Sequence, residues 1–314
     1  MTLDQLRVFV AVAERQHVTR AAEALHLAQS AASASIAALE ARHGTKLFHR
    51  VGRHIELTEA GTVFLAEARA VLARAEAAEL VLADLAGLKR GTLAVQASQT
   101  IASYWLPHHL VAFRRAYPGI EIRLAIDNTT QVANAVRHGT AELGFVEGVV
   151  DDPLLTSQAV ARDQLVIVVS PAHPWAAMDS VAPHQLADTE WVLREPGSGT
   201  RSMFEAGLEA FGVAPASLRV VLEMPSNEAV RSAVEAGMGA TAISASVAAP
   251  SIEAGLLHKI GLDLPERHFF VLRHVERHRS GAADALVAMV GGTAPGKVKA
   301  KKMPEEMPKG VPGN

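Results

Sequence analysis

The chain has 314 residues, 49% hydrophobic, 20% charged and 4% aromatic, with a formal net charge of -3. That length exceeds one typical domain, so two or three folded units are expected from a soluble, alanine-rich composition. There is no cysteine, which excludes disulfides, thiolate metal sites, cysteine nucleophiles and thiol redox sensing.

The N-terminal stretch Met1 to Gln5 has no basic segment followed by an apolar run, and no window approaches the roughly 18 apolar residues of a membrane span. A cytoplasmic protein without a membrane partner is therefore expected. The net charge would argue against nucleic acid only if it were evenly spread. From Arg42 to His54 the chain carries Arg42, Lys46, Arg50, Arg53 and three histidines with no acid, which makes a local basic strip.

Leu3, Leu6, Phe9, Val10 and Ala13 share a helical face, and Asp4 lies in the first turn, where the helix dipole favours an acid. Gln16 to Val18 interrupt this helix, Thr19 to Leu25 form a second, and Leu27 and Ala28 make a tight turn. The third helix runs from Gln29 to His43, with Gly44 suited to a left-handed cap. On it Ala32, Ile36 and Leu39 form an apolar face, while Gln29, Ser30, Ser33 and Ser35 are read on the opposite side. Glutamine bonds adenine through two atoms and serine serves any base, so this row suits base edges in a DNA groove. By itself the row also fits an alanine-rich helix with solvated serines. Two short helices and a tight turn before it make the set a helix-turn-helix.

Leu47 to Leu57 alternates apolar and basic residues around Gly52, as a β-hairpin does. Leu47, Phe48, Ile55 and Leu57 would pack on the helices, leaving Arg50, Arg53 and His54 near phosphates or the minor groove. A solvated surface hairpin is the alternative. From Thr58 to Leu88 there is no proline, and Phe64, Ala68, Val71, Ala75, Ala78, Leu82 and Leu85 recur at steps of four and three. That is the seam of a two-helix coil, or else a helix packed on its own domain. A dimer would set two recognition helices on one face of DNA, so an inverted repeat is the expected operator.

Lys89 to Gly91 reads as a hinge, and an α/β pattern follows. The strand at Leu93 leads into Ser98-Gln99-Thr100 and a helix with Ile101, Leu106, Leu110 and Phe113. Ile120 to Ile126 alternates as a strand, Asn128-Thr129-Thr130 caps a helix ending at Gly139, and Leu143 to Val146 is the next strand, giving a parallel sheet. Leu165 to Val169 begins a second run, with Gly197 to Arg201 before a helix reaching Phe211. Arg219 to Leu222, a helix from Ser226 to Gly237, and Thr241 to Ile243 continue it, and His268 to Val290 returns to the first half. Thr293 to Asn314 is rich in Pro, Gly and Lys and is expected to be disordered.

Several of these segments, Gln5-Leu6-Arg7-Val8-Phe9, Thr19-Arg20-Ala21-Ala22-Glu23-Ala24-Leu25-His26, Gln29-Ser30-Ala31, Leu39-Glu40, Gly44 to Arg50 and Leu57-Thr58-Glu59-Ala60-Gly61, together resemble a LysR-type transcriptional regulator. The resemblance implies an all-α winged helix-turn-helix (1–58), a long coiled-coil linker and dimerisation helix (59–88), and an α/β effector domain (91–292). That domain would be two-lobed like a periplasmic binding protein, with lobe I at 91–161 and 268–292 and lobe II at 162–267. It also implies a homodimer or homotetramer and RNA polymerase as a further partner, and adds Thr19 and Arg20 to the DNA-facing set. Three positions depart from the family pattern. Gln16-His17 replaces a frequent Gly-Ser pair and Ala28 replaces a hydroxyl, each loss of an N-cap costing about 1 kcal/mol. Ala34 stands where many members carry a base, which puts more weight on Gln29, Ser33 and the wing and makes a dimer more necessary.

In parallel sheets ligands sit beyond the carboxyl ends of strands, near helix N-termini, where hydroxyls and free N–H groups bind anions. Ser98, Gln99 and Thr100, Asn128 and Thr129, and Gly199, Thr200 and Arg201 meet that condition, and a small carboxylate or inorganic oxyanion is the expected effector. Each group also reads as a simple helix cap. Glu147 follows a strand into the same cleft and would oppose an anion unless paired, with Arg201 as the candidate partner. Ser98 to Pro107 is similar to a stretch in family members concerned with sulfur or carbon assimilation. For an enzyme the signals are poor. No Gly-X-Ser-X-Gly elbow joins a strand to a helix, the glycine-rich stretches lack the P-loop lysine, and the histidine pairs have no second cluster. No cofactor or metal is expected. The reading is a DNA-binding regulator with a small-molecule effector; the alternative is a solute receptor or enzyme fused to a helix-turn-helix used for dimerisation.

Overall fold

The computed structural model describes residues 1–51, 54–85, 91–178 and 180–291. Arg53 of the wing, Lys89 and Arg90 of the expected hinge and the tail from Thr293 lie outside the described residues, as do the side chains of Arg50, His54, Leu82 and Leu85.

Helices α1 (Leu3–Arg15), α2 (Val18–Ala24) and α3 (Gln29–His43) precede a hairpin of β1 (Phe48–Val51) and β2 (His54–Leu57). Thr2 and Gln5 cap α1 reciprocally, and Gly44 ends α3 at φ 63°, where a side chain would be strained. Helix α1 buries more than one stripe: Leu6 and Phe9 face one cluster, and Val8 and Val12 face another with Ala21, Ala22, Ala32 and Ile36. Leu3, expected in the core, is 39% exposed. The departure at Gln16-His17 is milder than expected, because His17 replaces the lost hydroxyl and caps α2 through Nδ1, accepting from the Arg20 N–H at 3.4 Å.

The long helix α4 (Glu59–Leu85) starts on Thr58, whose Oγ1 accepts from the Gly61 N–H at 3.0 Å and donates to the Lys46 carbonyl at 2.7 Å. A Cβ on Gly61 would lie 2.1 Å from the Leu47 carbonyl oxygen, so glycine permits this close approach. The coil seam is corrected here. Phe64 packs on Phe9 at 4.9 Å between ring centroids and Ala68 is 1% exposed against the same cluster, so these two positions serve their own domain. Val63 and Val71 remain outside, 67% and 41% exposed.

Two five-stranded sheets follow. The first contains β3 (Gly91–Ser98), β4 (Ile120–Asp127), β5 (Leu143–Glu147), β6 (Leu155–Asp163) and β12 (Arg267–His274) in the order β4-β3-β5-β12-β6. It carries α5 (Leu106–Ala116), α6 (Thr129–His138) and α10 (Gly281–Val290). The second contains β7 (Leu165–Val169), β8 (Glu190–Arg194), β9 (Arg219–Met224), β10 (Ala240–Ser244) and β11 (His258–Lys259) in the order β11-β7-β10-β8-β9. It carries α7 (Gly199–Ala210), α8 (Asn227–Glu235) and α9 (Ala245–Glu253).

The expected parallel sheet holds for β3 with β4 and with β5, and β12, which returns from the second lobe instead of through a crossover helix, runs antiparallel to both β5 and β6. Strand β6 escaped the sequence reading because polar Thr156 to Gln158 separate Leu155 from Val160, leaving no period-two alternation. Phe113, Phe145 and Phe269 fill the core of the first lobe, and Trp175, Trp191 and Phe204 that of the second. The chain passes between the lobes at Gln164 and again between β11 and β12.

Candidate functional site

On the DNA-facing side, Gln29 and Ser30 are exposed, and Gln29 Nε2 donates to Ser33 Oγ at 3.1 Å, one helical turn on. Thr19 and Arg20 are exposed at the start of α2. Ser33 is half-buried. Ser35, also half-buried, stands six residues beyond Gln29, about 240° around the helix, so it does not belong to the Gln29 row. Ala28 provides no side-chain cap, as its identity implied, and offers the first turn of α3 only its carbonyl, which accepts from the Ala31 N–H at 3.0 Å.

Glu40 joins this helix to the wing. Its carboxylate accepts from the Leu47 N–H at 2.9 Å, the Phe48 N–H at 3.2 Å and Lys46 Nζ at 2.6 Å. Burial raises its pKa, but the bonds from Lys46, Leu47 and Phe48 and the Lys46 charge prevail and hold it below the ordinary carboxylate range.

The second site lies between the lobes. Ser98 ends β3, Glu147 ends β5 and Arg267 begins β12, so all three stand at one end of the first sheet. Helix α7 approaches from the second lobe. Asn128 is a true cap, closing a reciprocal box with Gln131, and its Nδ2 also reaches Glu195 Oε1 at 3.4 Å across the cleft. At the other two stretches the alternative reading, a simple helix cap, does not hold. Thr100 makes no capping bond, because the chain enters a π-helical turn at Ile101–Trp105, and Ser198 before α7 makes none either. Thr100 Oγ1 instead accepts from Asn227 Nδ2 at 2.9 Å and stands 3.5 Å from Thr200 Oγ1. Gln99 is committed to the other lobe, donating to Glu228 at 2.7 Å and accepting from the Asn227 N–H at 2.7 Å.

Arg201 is not in the cleft and does not pair with Glu147. Its Nε donates to Glu205 at 2.8 Å and its Nη1 to the Arg194 carbonyl at 3.1 Å and to Glu223. An acid one turn along the same helix holds it on the outer side of α7. Two buried cations stand at the cleft, each paired with an acid and neither named by the sequence reading: Arg194, which binds Glu195 and Asn227, and Arg267, which binds Asp163. Arg267 is 1% exposed, its Nε donates to Asp163 at 2.7 Å, and its Nη1 donates to Thr200 Oγ1 at 3.3 Å. Asp163 also accepts from Ser244 Oγ at 2.8 Å. The available signal was an acid and a base placed at the two chain crossings.

Glu147 is 3% exposed and accepts from Thr129 Oγ1 at 3.3 Å; among the described residues it makes no ion pair. Gly199 fits beneath it only as glycine, since a Cβ would lie 2.5 Å from Thr129 Oγ1 and 2.8 Å from Glu147 Oε2. Ser98 Oγ is buried without a hydrogen-bond partner. Such a group costs about 1–3 kcal/mol unless something supplies the missing bond.

A winged helix-turn-helix on a long helix, followed by two lobes that close on a polar cleft, defines an effector-responsive DNA-binding regulator. Residues 3–62 match the bacterial regulatory helix-turn-helix protein, LysR family, and residues 86–294 match the LysR substrate binding domain. The chain is 31% identical over 290 residues to a probable RuBisCO transcriptional regulator of Nostoc sp. (strain PCC 7120), covering 91% of this chain and 86% of the relative. It is 32% identical over 284 residues to the uncharacterized HTH-type transcriptional regulator YeiE of Escherichia coli (strain K12), covering 90% and 94%. Full-length CbnR in complex with its target DNA superposes with a TM-score of 0.68 at 25% identity, over 92% of this chain and 99% of that one. The regulatory domain of Synechocystis PCC6803 CcmR in complex with 2-PG covers 65% and 97%, with a TM-score of 0.59 at 25% identity. The chain belongs to the LysR family of transcriptional regulators and is not an enzyme. No described helix is long and apolar enough to cross a membrane.

Proposed function

We propose that this regulator acts in the cytoplasm as a homodimer or larger assembly on an inverted-repeat operator, controlled by a small carboxylate or inorganic oxyanion between its lobes. The observation that carries the effector reading is the buried, unpartnered Ser98 Oγ, in a cleft whose facing helix α7 also starts without a side-chain cap. Thr100, Thr129 and Thr200 supply hydroxyls and Arg267 supplies the positive charge. Glu147 adds a condition. A carboxylate without a cation repels a fully ionised ligand, so the effector presents a hydroxyl or an acidic proton on that side. Glycolate and hydrogen sulfite meet this condition better than sulfate. The structural neighbour solved with 2-PG supports an acidic small molecule.

On DNA, Gln29, Ser30 and Ser33 face base edges, Thr19 and Arg20 face the backbone with Arg50 and Arg53 of the wing, and the N–H groups of the first turn of α3 that Ala28 leaves uncapped donate to a phosphate. Exposed Val63 and Val71 on α4 supply the dimer contact. RNA polymerase is the partner through which such an assembly acts. Calorimetry with glycolate, sulfite, acetate and sulfate tests the effector class. Heat from the first two, lost in Thr200→Val, is expected, and no heat from any of the four sinks the anion reading.

A further inference from the structure

Behind the two threonines of the cleft stands a layer of side chains that contacts the hydroxyls from within the second lobe. Arg194 is buried at the end of β8 and holds both Glu195 oxygens, through Nε at 2.8 Å and Nη2 at 3.0 Å. Its Nη1 donates to Asn227 Oδ1 at 2.7 Å. The planar guanidinium fork makes this double duty possible. Asn227 opens α8, fully buried, and its Nδ2 donates to Thr100 Oγ1 at 2.9 Å.

The Asn227 amide has one orientation. A guanidinium only donates, so the atom that faces Arg194 is the amide oxygen and the atom that faces Thr100 is the nitrogen. Turned the other way, the amide would set its NH2 against Nη1, and its oxygen would take the Thr100 proton. In the observed orientation Thr100 Oγ1 accepts from Asn227 and keeps its proton. Thr200 Oγ1 likewise accepts from a guanidinium, Arg267 Nη1 at 3.3 Å. The two hydroxyls stand 3.5 Å apart, and neither makes a further hydrogen bond among the described residues. Two protons and at most one bond between them leave at least one O–H for whatever enters the cleft. A run of hydrogen bonds headed by a guanidinium polarises its last member, which donates more strongly for it. The unpartnered Ser98 Oγ adds a third hydroxyl.

We infer that Arg194 and Asn227 are positioning residues for effector specificity: they fix the Thr100 hydroxyl as a donor, so the cleft takes a carboxylate in preference to the amide of the same acid. The amide brings its own NH2 donor to a wall of donors and leaves both sides unpaired. This rests on the anion site proposed above and adds how that site tells an acid from its amide.

Calorimetry on the full chain with glycolate and glycolamide, which share a hydroxyl and differ only at the carboxyl end, tests it. The unaltered chain is expected to prefer glycolate by about tenfold or more. Asn227→Asp, the same shape with an oxygen on both sides, should lose that preference, and Arg194→Met, which frees the amide to turn, should reduce it. Thr100→Val should lower the preference while leaving glycolamide affinity unchanged, and Thr100→Ser should keep it. In the Thr100→Val background neither Asn227→Asp nor Arg194→Met should have a further effect, because only the Thr100 proton carries it. A bare charge effect or a loosened fold acts equally with and without that hydroxyl, so additive losses overturn the inference, as does an unchanged preference in Asn227→Asp. Loss of both ligands in Thr100→Val also overturns it. Should Asn227→Asp fold poorly, Arg194→Met carries the same comparison, since the Glu195 it abandons is partly exposed and stays hydrated. No glycolate heat from the unaltered chain overturns the inference; no heat from sulfite, acetate or sulfate either removes the proposed function with it.

Discussion

At the scale of single residues, two carboxylates show how the surroundings decide what a charge does. Glu40 is surrounded by donors, and its lowered pKa makes it stabilising when ionised. That contribution is fully present above the ordinary carboxylate range and is lost as pH falls through the lowered folded value. Glu40→Gln should cost about 2 kcal/mol at neutral pH, and chemical denaturation at decreasing pH should show the gap to the unaltered chain narrowing. A constant gap contradicts this role. Among the described residues Glu147 has one hydroxyl donor and no ion pair, which is why the proposed function gives it a part in selecting what enters the cleft. Below it, Gly199→Ala places a Cβ against Thr129 and Glu147 and should hold the lobes apart, weakening glycolate about tenfold or more by calorimetry. Arg201→Ala, outside the cleft, should leave glycolate affinity unchanged, and equal loss in both variants would restore Arg201 as a contact.

Among the elements, helices with a period and a cap were legible in the sequence, and contacts set by tertiary approach were not. The ends of α3 and α6 were readable because Gly44 and Gly139 both take positive φ, at 63° and 81°. Thr129, Thr200 and Glu147 were legible as candidates because they lie where strands end and helices begin. Arg267 and Asp163 were missed because they meet only when two distant strands are neighbours, which no local pattern records. Helix α4 illustrates the same limit: its four-three pattern is real, but a period does not say which partner covers it. Phe64 and Ala68 cover α1, and Val63 and Val71 stay exposed, where the proposed dimer contact would cover them. Phe64→Ala should therefore destabilise the DNA-binding domain by about 3 kcal/mol in denaturant unfolding. Val71→Glu should leave that stability unchanged and shift sedimentation towards the monomer. Dissociation by Phe64→Ala without loss of stability would reverse the assignment.

For the whole molecule, the proposed function joins two events: closure of the lobes on an anion, and placement of two recognition helices on DNA by α4. Hydrogen bonds already cross the cleft from Gln99 to Glu228 and Asn227 and from Asn128 to Glu195, so the closed form is held by the protein itself. An effector shifts the balance only as far as its affinities for the closed and open forms differ. On the proposed function the ligand changes how the assembly sits on DNA, and the protein alone reads the sequence. The most direct test of that claim is selection of genomic fragments by the purified full-length protein, with footprinting of the best fragment with and without glycolate or sulfite. Enrichment of one inverted repeat in both conditions, with a protected length that changes when the anion is present, is the predicted result. No enriched sequence in either condition, or a footprint identical in both, contradicts it.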